Sequence, residues 1–292
     1  LPQPSQLRIA AEAFAVLPEE TACLQARLVL KASSTKRMTR QFTIEYATLF
    51  GVILPVLAAH RLPLPLGGTS NHFRCSVLRQ VGAWDPYNVT EDADLGMRLA
   101  RLGYATGTIE SRTYEEANVR LLNWLRQRAR WLKGFLATWL VHMRQPGVVF
   151  NELGPAAFWT MQAITFGVFA SALLHPACLV ASVLLAILDP PDSSRMQLAL
   201  IALAGLNLLI FVSGYAVTMI IGHRAIRLLG IRGWLIPVLT MPAYWLLMSA
   251  AAWLALWQFI VAPFHWNKTE HGLSALQRRR ERAGGGSSGA HG

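Results

Sequence analysis

From Phe158 to Leu188 no residue carries a charge, and from Met196 to Ile221 none does either. Roughly 20 apolar residues suffice to cross a bilayer, so both runs are expected to be spanning helices. The loop between them, Asp189-Pro190-Pro191-Asp192-Ser193-Ser194-Arg195, holds two acids and one base, whereas the segment after the second run holds His223, Arg224, Arg227 and Arg232. By the positive-inside rule the loop lies outside and the basic segment inside. The chain before Phe158 is then cytosolic. His175-Pro176, inside the first run, reads as a proline kink beside a polar residue, which membrane helices tolerate.

A third uncharged run, Leu235 to Ala262, is also long enough to cross, but crossing would carry the basic tail Gln277-Arg278-Arg279-Arg280-Glu281-Arg282 outside. The run contains Pro237 and Pro242 and the interface-seeking Trp245, Trp253 and Trp257. It is therefore expected to lie in the interface or to re-enter rather than span. The expected organisation is a cytosolic domain over 1–154, two transmembrane helices over 155–222, an interfacial segment and loop over 223–275, and a flexible basic tail over 276–292. Composition agrees: 53% of residues are hydrophobic and 15% charged, with a mean hydropathy of +0.34, where a soluble domain has about 25% charged residues. The net charge of +11 sits beside those apolar runs, which favours a basic surface facing anionic lipid over a nucleic-acid partner. Cys23, Cys75 and Cys178 are too few and too scattered for a disulfide framework or a zinc site.

Charge is concentrated in the first half. Residues 1–157 carry 18 Lys/Arg and 12 Asp/Glu, against 9 and 4 afterwards. Residues 6–15 have helical apolar spacing, and Thr21 to Leu30 alternates and then runs apolar like a strand. That succession is α/β grammar. A long helix is expected over 41–59, followed by an extended Leu62-Pro63-Leu64-Pro65-Leu66 leading to a Gly67-Gly68 turn. After Asn71-His72 and a short helix over 76–81 comes Thr90-Glu91-Asp92-Ala93-Asp94, which reads as the capped, acidic start of a helix that Gly103 ends. A strand-like piece follows Tyr104, and a basic, aromatic helix opens at Leu122. Leu at position 1, with no secretory signal peptide, leads us to expect the C-terminal part of a longer protein.

Thr90-Glu91-Asp92, followed 35 residues after Asp92 by the QxxRW pattern Gln127, Arg130, Trp131 and then by membrane spans, resembles the family 2 inverting glycosyltransferases of the cellulose, chitin and hyaluronan synthase type. The stretches Gly67–Arg74 and Gly82–Gly96 look like bacterial members, and the resemblance covers nearly all of residues 1–275. It implies the C-terminal part of an α/β domain of GT-A type at the cytosolic face of a bacterial-type inner or plasma membrane, in a multi-pass, processive enzyme. Its partners would be a UDP-sugar donor and a polysaccharide acceptor.

An inverting transfer needs a carboxylate in reach of the acceptor hydroxyl, and the resemblance implies Asp92 for that base. Thr90 and Glu91 would hold the loop, and Asp94 would support the helix start. Arg130 and Gln127 would stabilise the departing diphosphate, and Trp131 would stack on an acceptor sugar, with Arg126 and Arg128 facing lipid or solvent. Asn71 and His72 either line the acceptor site or stabilise the turn. Phe264–Gly272 occupies the place of the family's gating loop, with Trp266, Lys268 and Thr269 as gating candidates on a partial match. Asn88 and Asn267 match glycosylation sequons on the cytosolic side and are rejected. No DxD precedes Asn71, so no metal ligand is expected in the chain, and the ligands for Mg²⁺ or Mn²⁺ are expected upstream of Leu1. A non-processive transferase acting on a lipid-linked acceptor and a non-catalytic glycan-binding membrane subunit are the alternatives.

Overall fold

A computed structural model describes residues 1–30, 37–117, 120–187 and 194–262. In chain order the elements are α1 (Gln6–Val16), β1 (Thr21–Leu30), α2 (Arg37–Thr48), a π-helical turn (Leu49–Ile53), α3 (Leu54–Ala59), β2 (Asn71–Phe73), α4 (Cys75–Gln80), α5 (Glu91–Arg101) and β3 (Ala105–Glu115). Then come α6 (Leu121–His142), α7 (Pro146–Gln162), a second π turn (Ala163–Gly167), α8 (Val168–Ile187), α9 (Ser194–Leu228), α10 (Leu235–Leu239) and α11 (Met241–Val261).

The strands form one mixed sheet of order β2-β1-β3. β2 runs antiparallel to β1, with Asn71, His72 and Phe73 opposite Gln25, Leu24 and Cys23; β3 runs parallel to it, from Thr21 beside Ala105 to Leu30 beside Glu115. Successive side chains point to opposite faces. Leu24, Ala26 and His72 therefore share one face, which α1 covers through Ala10 together with Ile109 of β3. Cys23, Gln25, Asn71 and Phe73 share the other, where Val77 of α4 and Leu95 and Leu99 of α5 pack. This is the α/β layering that the alternation of helix and strand signals implies.

Helix α5 ends as its sequence suggests, at Gly103 with φ of +81°. Its start differs from expectation. Thr90 occupies the cap position, but its side chain caps no backbone N–H; it lies against Gly134 of α6 instead, where a Cβ would fall 2.2 Å from the Thr90 hydroxyl. Asp94 lies in the first turn, as expected of a residue that supports the helix start, and has further partners. Buried at 4% exposure, it accepts hydrogen bonds from Arg98 Nε at 2.8 Å and His142 Nε2 at 3.1 Å. An arginine can only donate, so the bond between Arg101 Nη1 and His142 Nδ1 at 2.9 Å leaves the ring proton on Nε2, facing Asp94. The pair joins α5 to the end of α6.

Four helices among the described residues are long and apolar enough to cross a membrane: Arg37–Ala59, Pro146–Leu185, Met196–Leu228 and Met241–Val261. The protein is membrane-associated. Two of the four are the expected spans, and the first of these bends at Gly154, with φ of 71°, before Pro155. Pro242 falls in the first turn of α11, where its missing N–H breaks no bond, and Pro237 belongs to α10. Both prolines lie at or before the start of α11 and do not interrupt it. The apolar stretch Arg37–Ala59 lies in the half read as cytosolic, and its buried Phe42, Tyr46 and Phe50 pack with Leu28 and Leu30 of β1. Inside the apolar bundle His175 hydrogen-bonds Tyr215, so it has a partner on α9 as well as a place beside the proline.

One core unites sheet and bundle: Leu28 and Leu30, Phe42 and Tyr46, Trp124 and Leu132, Phe169, and Tyr244, Ala251 and Ala255. Small residues let α11 approach α6 closely. The tightest approach near the site is at Gly96, where a Cβ would meet the Leu64 carbonyl oxygen at 2.0 Å, whereas Gly51 has nothing within 4 Å. Gly96→Ala is expected to destabilise the protein by about 1–3 kcal/mol through overpacking, and Gly51→Ala to be neutral or slightly stabilising. Melting of both variants in detergent checks this, and equal midpoints would refute it.

Candidate active site

The Gly67-Gly68 turn passes directly over Asp92. A Cβ on Gly68 would lie 3.1 Å from Asp92 Oδ2, so a residue without a side chain lets backbone meet carboxylate. Gln25, 1% exposed in mid-strand, holds this turn: its Oε1 accepts from Gly67 N at 2.9 Å and its Nε2 donates to Thr69 O at 3.0 Å. Asn71 Nδ2 donates to the Gly67 carbonyl, and the Asn71 Oδ1 is buried without a partner among the described residues. Of its two expected roles, the structure displays the turn-stabilising one.

Asp92 starts α5 with Oδ1 accepting from Ala93 N at 2.7 Å. Burial pushes its carboxyl up to about 6, with the Glu91 charge adding to the rise, while the Ala93 hydrogen bond and the Arg130 charge pull down. Two residues on, burial would likewise raise Asp94, but the hydrogen bonds from His142 and Arg98 and the Arg98 charge outweigh it and hold that carboxyl below its usual range. Two neighbouring carboxylates are thereby driven apart, which is how acid–base roles are divided.

Burial lowers the pKa of Arg130, on α6, and the nearby Asp92 and Glu91 charges oppose that shift without cancelling it. Its buried Nε has no hydrogen-bond partner among the described residues. Gln127 is half-buried, three residues before Arg130 and four before Trp131, and so on the same side of the helix. Trp131 stacks on Tyr46 with ring centroids 6.1 Å apart. Thr90 fastens the two helices at Gly134, and Asn88 Nδ2 donates to Thr138 Oγ1 at 2.9 Å beside it. Thr90, Glu91, Asp92, Asn71 and Arg130 are thus brought together, with Gln127 about one turn before Arg130 on α6 and Trp131 next to it.

Two expectations are corrected. His72 faces the α1 side of the sheet, away from Asp92, and lines an open cleft with Gln6, Thr113 and Glu115; alternation along β2 turns its side chain opposite to that of Asn71. Arg128 faces neither lipid nor solvent: it is 2% exposed and ion-paired with Glu45 at 2.9 Å. Arg126 is exposed as expected. Trp266, Lys268 and Thr269 lie outside the described residues.

Gln25, Glu45 and Gly134 escaped the sequence reading. Each had a signal, the first two as single polar residues in apolar segments and the third as a glycine in mid-helix. Asp92 and Asp94 do not fit a metal pair, because both Asp94 oxygens are engaged by Arg98 and His142. Among the described residues no three His, Cys, Asp or Glu cluster as a metal site.

The family profile described as Glycosyl transferase family group 2 matches residues 1–266. The chain belongs to this family. A stretch of 112 residues is 30% identical to the probable glycosyltransferase YdaM of Bacillus subtilis (strain 168), covering 36% of this chain and 26% of that protein. The chain therefore spans about a quarter of the length of this curated relative.

The folded protein prefers Asp92 protonated up to about pH 6, so ionising it costs stability as pH rises through that value. Below the unfolded value, near 3.8, folded and unfolded chains are both protonated and the cost vanishes. Asp92→Asn is expected to raise the melting midpoint at about pH 8 and to leave it nearly unchanged at about pH 3. A lowered midpoint at the higher pH would mean that Arg130 stabilises the ionised form more than burial opposes it.

Proposed function

We propose that the chain carries the acceptor side of a membrane-bound inverting glycosyltransferase that adds a hexose from a UDP-sugar to a growing polysaccharide, processively and with export. The observation that supports it most is the Asp92 carboxyl, raised to about 6 beside Arg130 and under the Gly68 backbone. A base with that value is ionised at neutral pH yet binds a proton readily.

In the step, the acceptor hydroxyl oxygen attacks the anomeric carbon from the face opposite the nucleotide, and its proton passes to Asp92. The bond from the anomeric carbon to the phosphate oxygen breaks, and the nucleoside diphosphate leaves with the electron pair. Arg130 and Gln127 meet the charge developing on that group, and Trp131 gives the acceptor sugar a flat face. The Arg130 Nε, without a hydrogen-bond partner among the described residues, supports this, since buried donors are rarely left without an acceptor. The Mg²⁺ or Mn²⁺ that neutralises the diphosphate would be held by carboxylates outside the described residues.

The site faces the cytosol in this reading, and α9 runs from an outer end at Met196 to an inner end at Arg227. That helix has 35 residues, about 50 Å at 1.5 Å per residue, so its last turns pass beyond a hydrocarbon core of about 30 Å. There Ala225 and Ile226 are buried against Ile44 of α2 and Met241 of α11, which joins the inner end to the helix beneath the site.

In the full-length enzyme, Asp92→Asn is expected to slow sugar transfer by roughly 100-fold or more while donor binding persists. In the wild type the rate should fall about tenfold per pH unit below about 6. Turnover by the variant at the wild-type rate would remove Asp92 from the mechanism. For topology, Met196→Cys in intact cells is expected to react with an impermeant thiol reagent and Leu228→Cys to be protected; the reverse pattern would place the site outside.

A further inference from the structure

Arg128 stands between Gln127 and Arg130 of the QxxRW pattern, yet it turns to the α2 side of the helix, where it pairs with Glu45. Its guanidinium lies 4.3 Å from the centre of the Trp131 ring and 4.7 Å from that of Phe42. Nη2 meets Glu45 Oε2 at 2.9 Å. The same Glu45 oxygen accepts from the Tyr244 hydroxyl, which accepts from Trp124 Nε1 at 3.0 Å. The network touches α2, α6 and α11 and meets the site at Trp131 and at Tyr46, on which Trp131 stacks.

We propose that the Glu45–Arg128 pair, clamped by Tyr244, positions Trp131 and thereby decides whether the sugar passes to the acceptor or to water. Arg128 and Glu45 are positioning residues in this scheme, neither touching substrate. The planar guanidinium lies over the indole while its edge ion-pairs with the carboxylate, two tasks that a lysine cannot perform together. Tyr244 adds a link to α11, so that a shift of this apolar helix is felt at Trp131. The inference rests on the glycosyl-transfer reading above and on Trp131 as acceptor platform.

The test uses the full-length enzyme in lipid nanodiscs with UDP-glucose and UDP-N-acetylglucosamine as donor probes. It measures nucleotide released and sugar incorporated into glycan, whose ratio is the partition between acceptor and water. Replacing a buried ion pair by apolar residues of similar size is commonly neutral for stability, so Glu45→Leu/Arg128→Met should melt close to wild type. Its incorporated fraction is expected to fall about tenfold, with nucleotide release reduced much less. Arg128→Lys should show the same fall in part. A double variant with the wild-type partition would make the pair replaceable packing and overturn the proposal. Tyr244→Phe loses only the clamping hydroxyl and serves if the double variant does not fold: a two- to threefold lower partition is expected, and an unchanged one counts against the proposal. If Trp131→Ala leaves the partition intact while Asp92→Asn stops transfer, the platform fails and the enzyme reading survives. A wild type that releases no nucleotide from either donor overturns the reading itself.

Discussion

A guanidinium withdrawn from water without a partner carries a penalty of several kcal/mol, and α6 buries one almost completely. Arg128 can sit there only because Glu45 of α2 meets its charge and four aromatic rings, of Phe42, Tyr46, Trp124 and Trp131, surround it. That single requirement fixes which face of α6 turns toward the apolar helices. Two residues later the helix has turned by about 200°, so Arg130 is delivered to the opposite side, where Asp92 is. The division of labour between the two arginines follows from helical geometry and from where the one buried acid of α2 lies.

The carboxylates of α5 show the same logic on a smaller scale. Asp92 and Asp94 both enter the first turn and both are screened from water, but only Asp94 finds cationic and hydrogen-bonding partners on two sides. Asp94 becomes a fixed anion that fastens α5 to the end of α6, and Arg101, bonded to His142 and to Glu152 at 2.6 Å, extends the fastening to α7. Asp92, left with a backbone N–H and a more distant cation, is the one whose proton can come and go. Sequence spacing alone gives the two acids equal standing.

Much of the layout was legible. Alternation over 21–30, helical spacing over 6–15 and the glycine stop at 103 depend on local backbone preference, and each survives folding. Long apolar helices cover 158–187 and 196–221 as well, because a run without charge has few other destinations. What stayed hidden depends on partners far along the chain. Thr90 looks like a cap by type and position, but its use was decided by Gly134, 44 residues away. Arg128 sits in a basic, aromatic helix that reads as a surface helix, and only Glu45, 83 residues earlier, reveals that it is inside. His72 and Asn71 look equivalent until the register of β2 against β1 assigns them to opposite faces.

Glycines account for how the site is held to a fixed geometry. At positions 68, 96 and 134 a backbone or a short side chain lies where a Cβ would be, against Asp92, the Leu64 carbonyl and Thr90 respectively. Contacts of this kind involve no long rotatable side chain, so they transmit position with little slack. Gly96 sets α5 against the strand-like approach to the turn, Gly68 sets the turn over the carboxylate, and Gly134 sets α5 against the helix bearing Arg130. A base and a cation that must serve one transfer step have to hold their spacing to well within an ångström, since displacements of about 1 Å can cost on the order of 100-fold in rate. Side-chain hydrogen bonds alone, with their rotamer freedom, would hold it less firmly than three points of backbone contact.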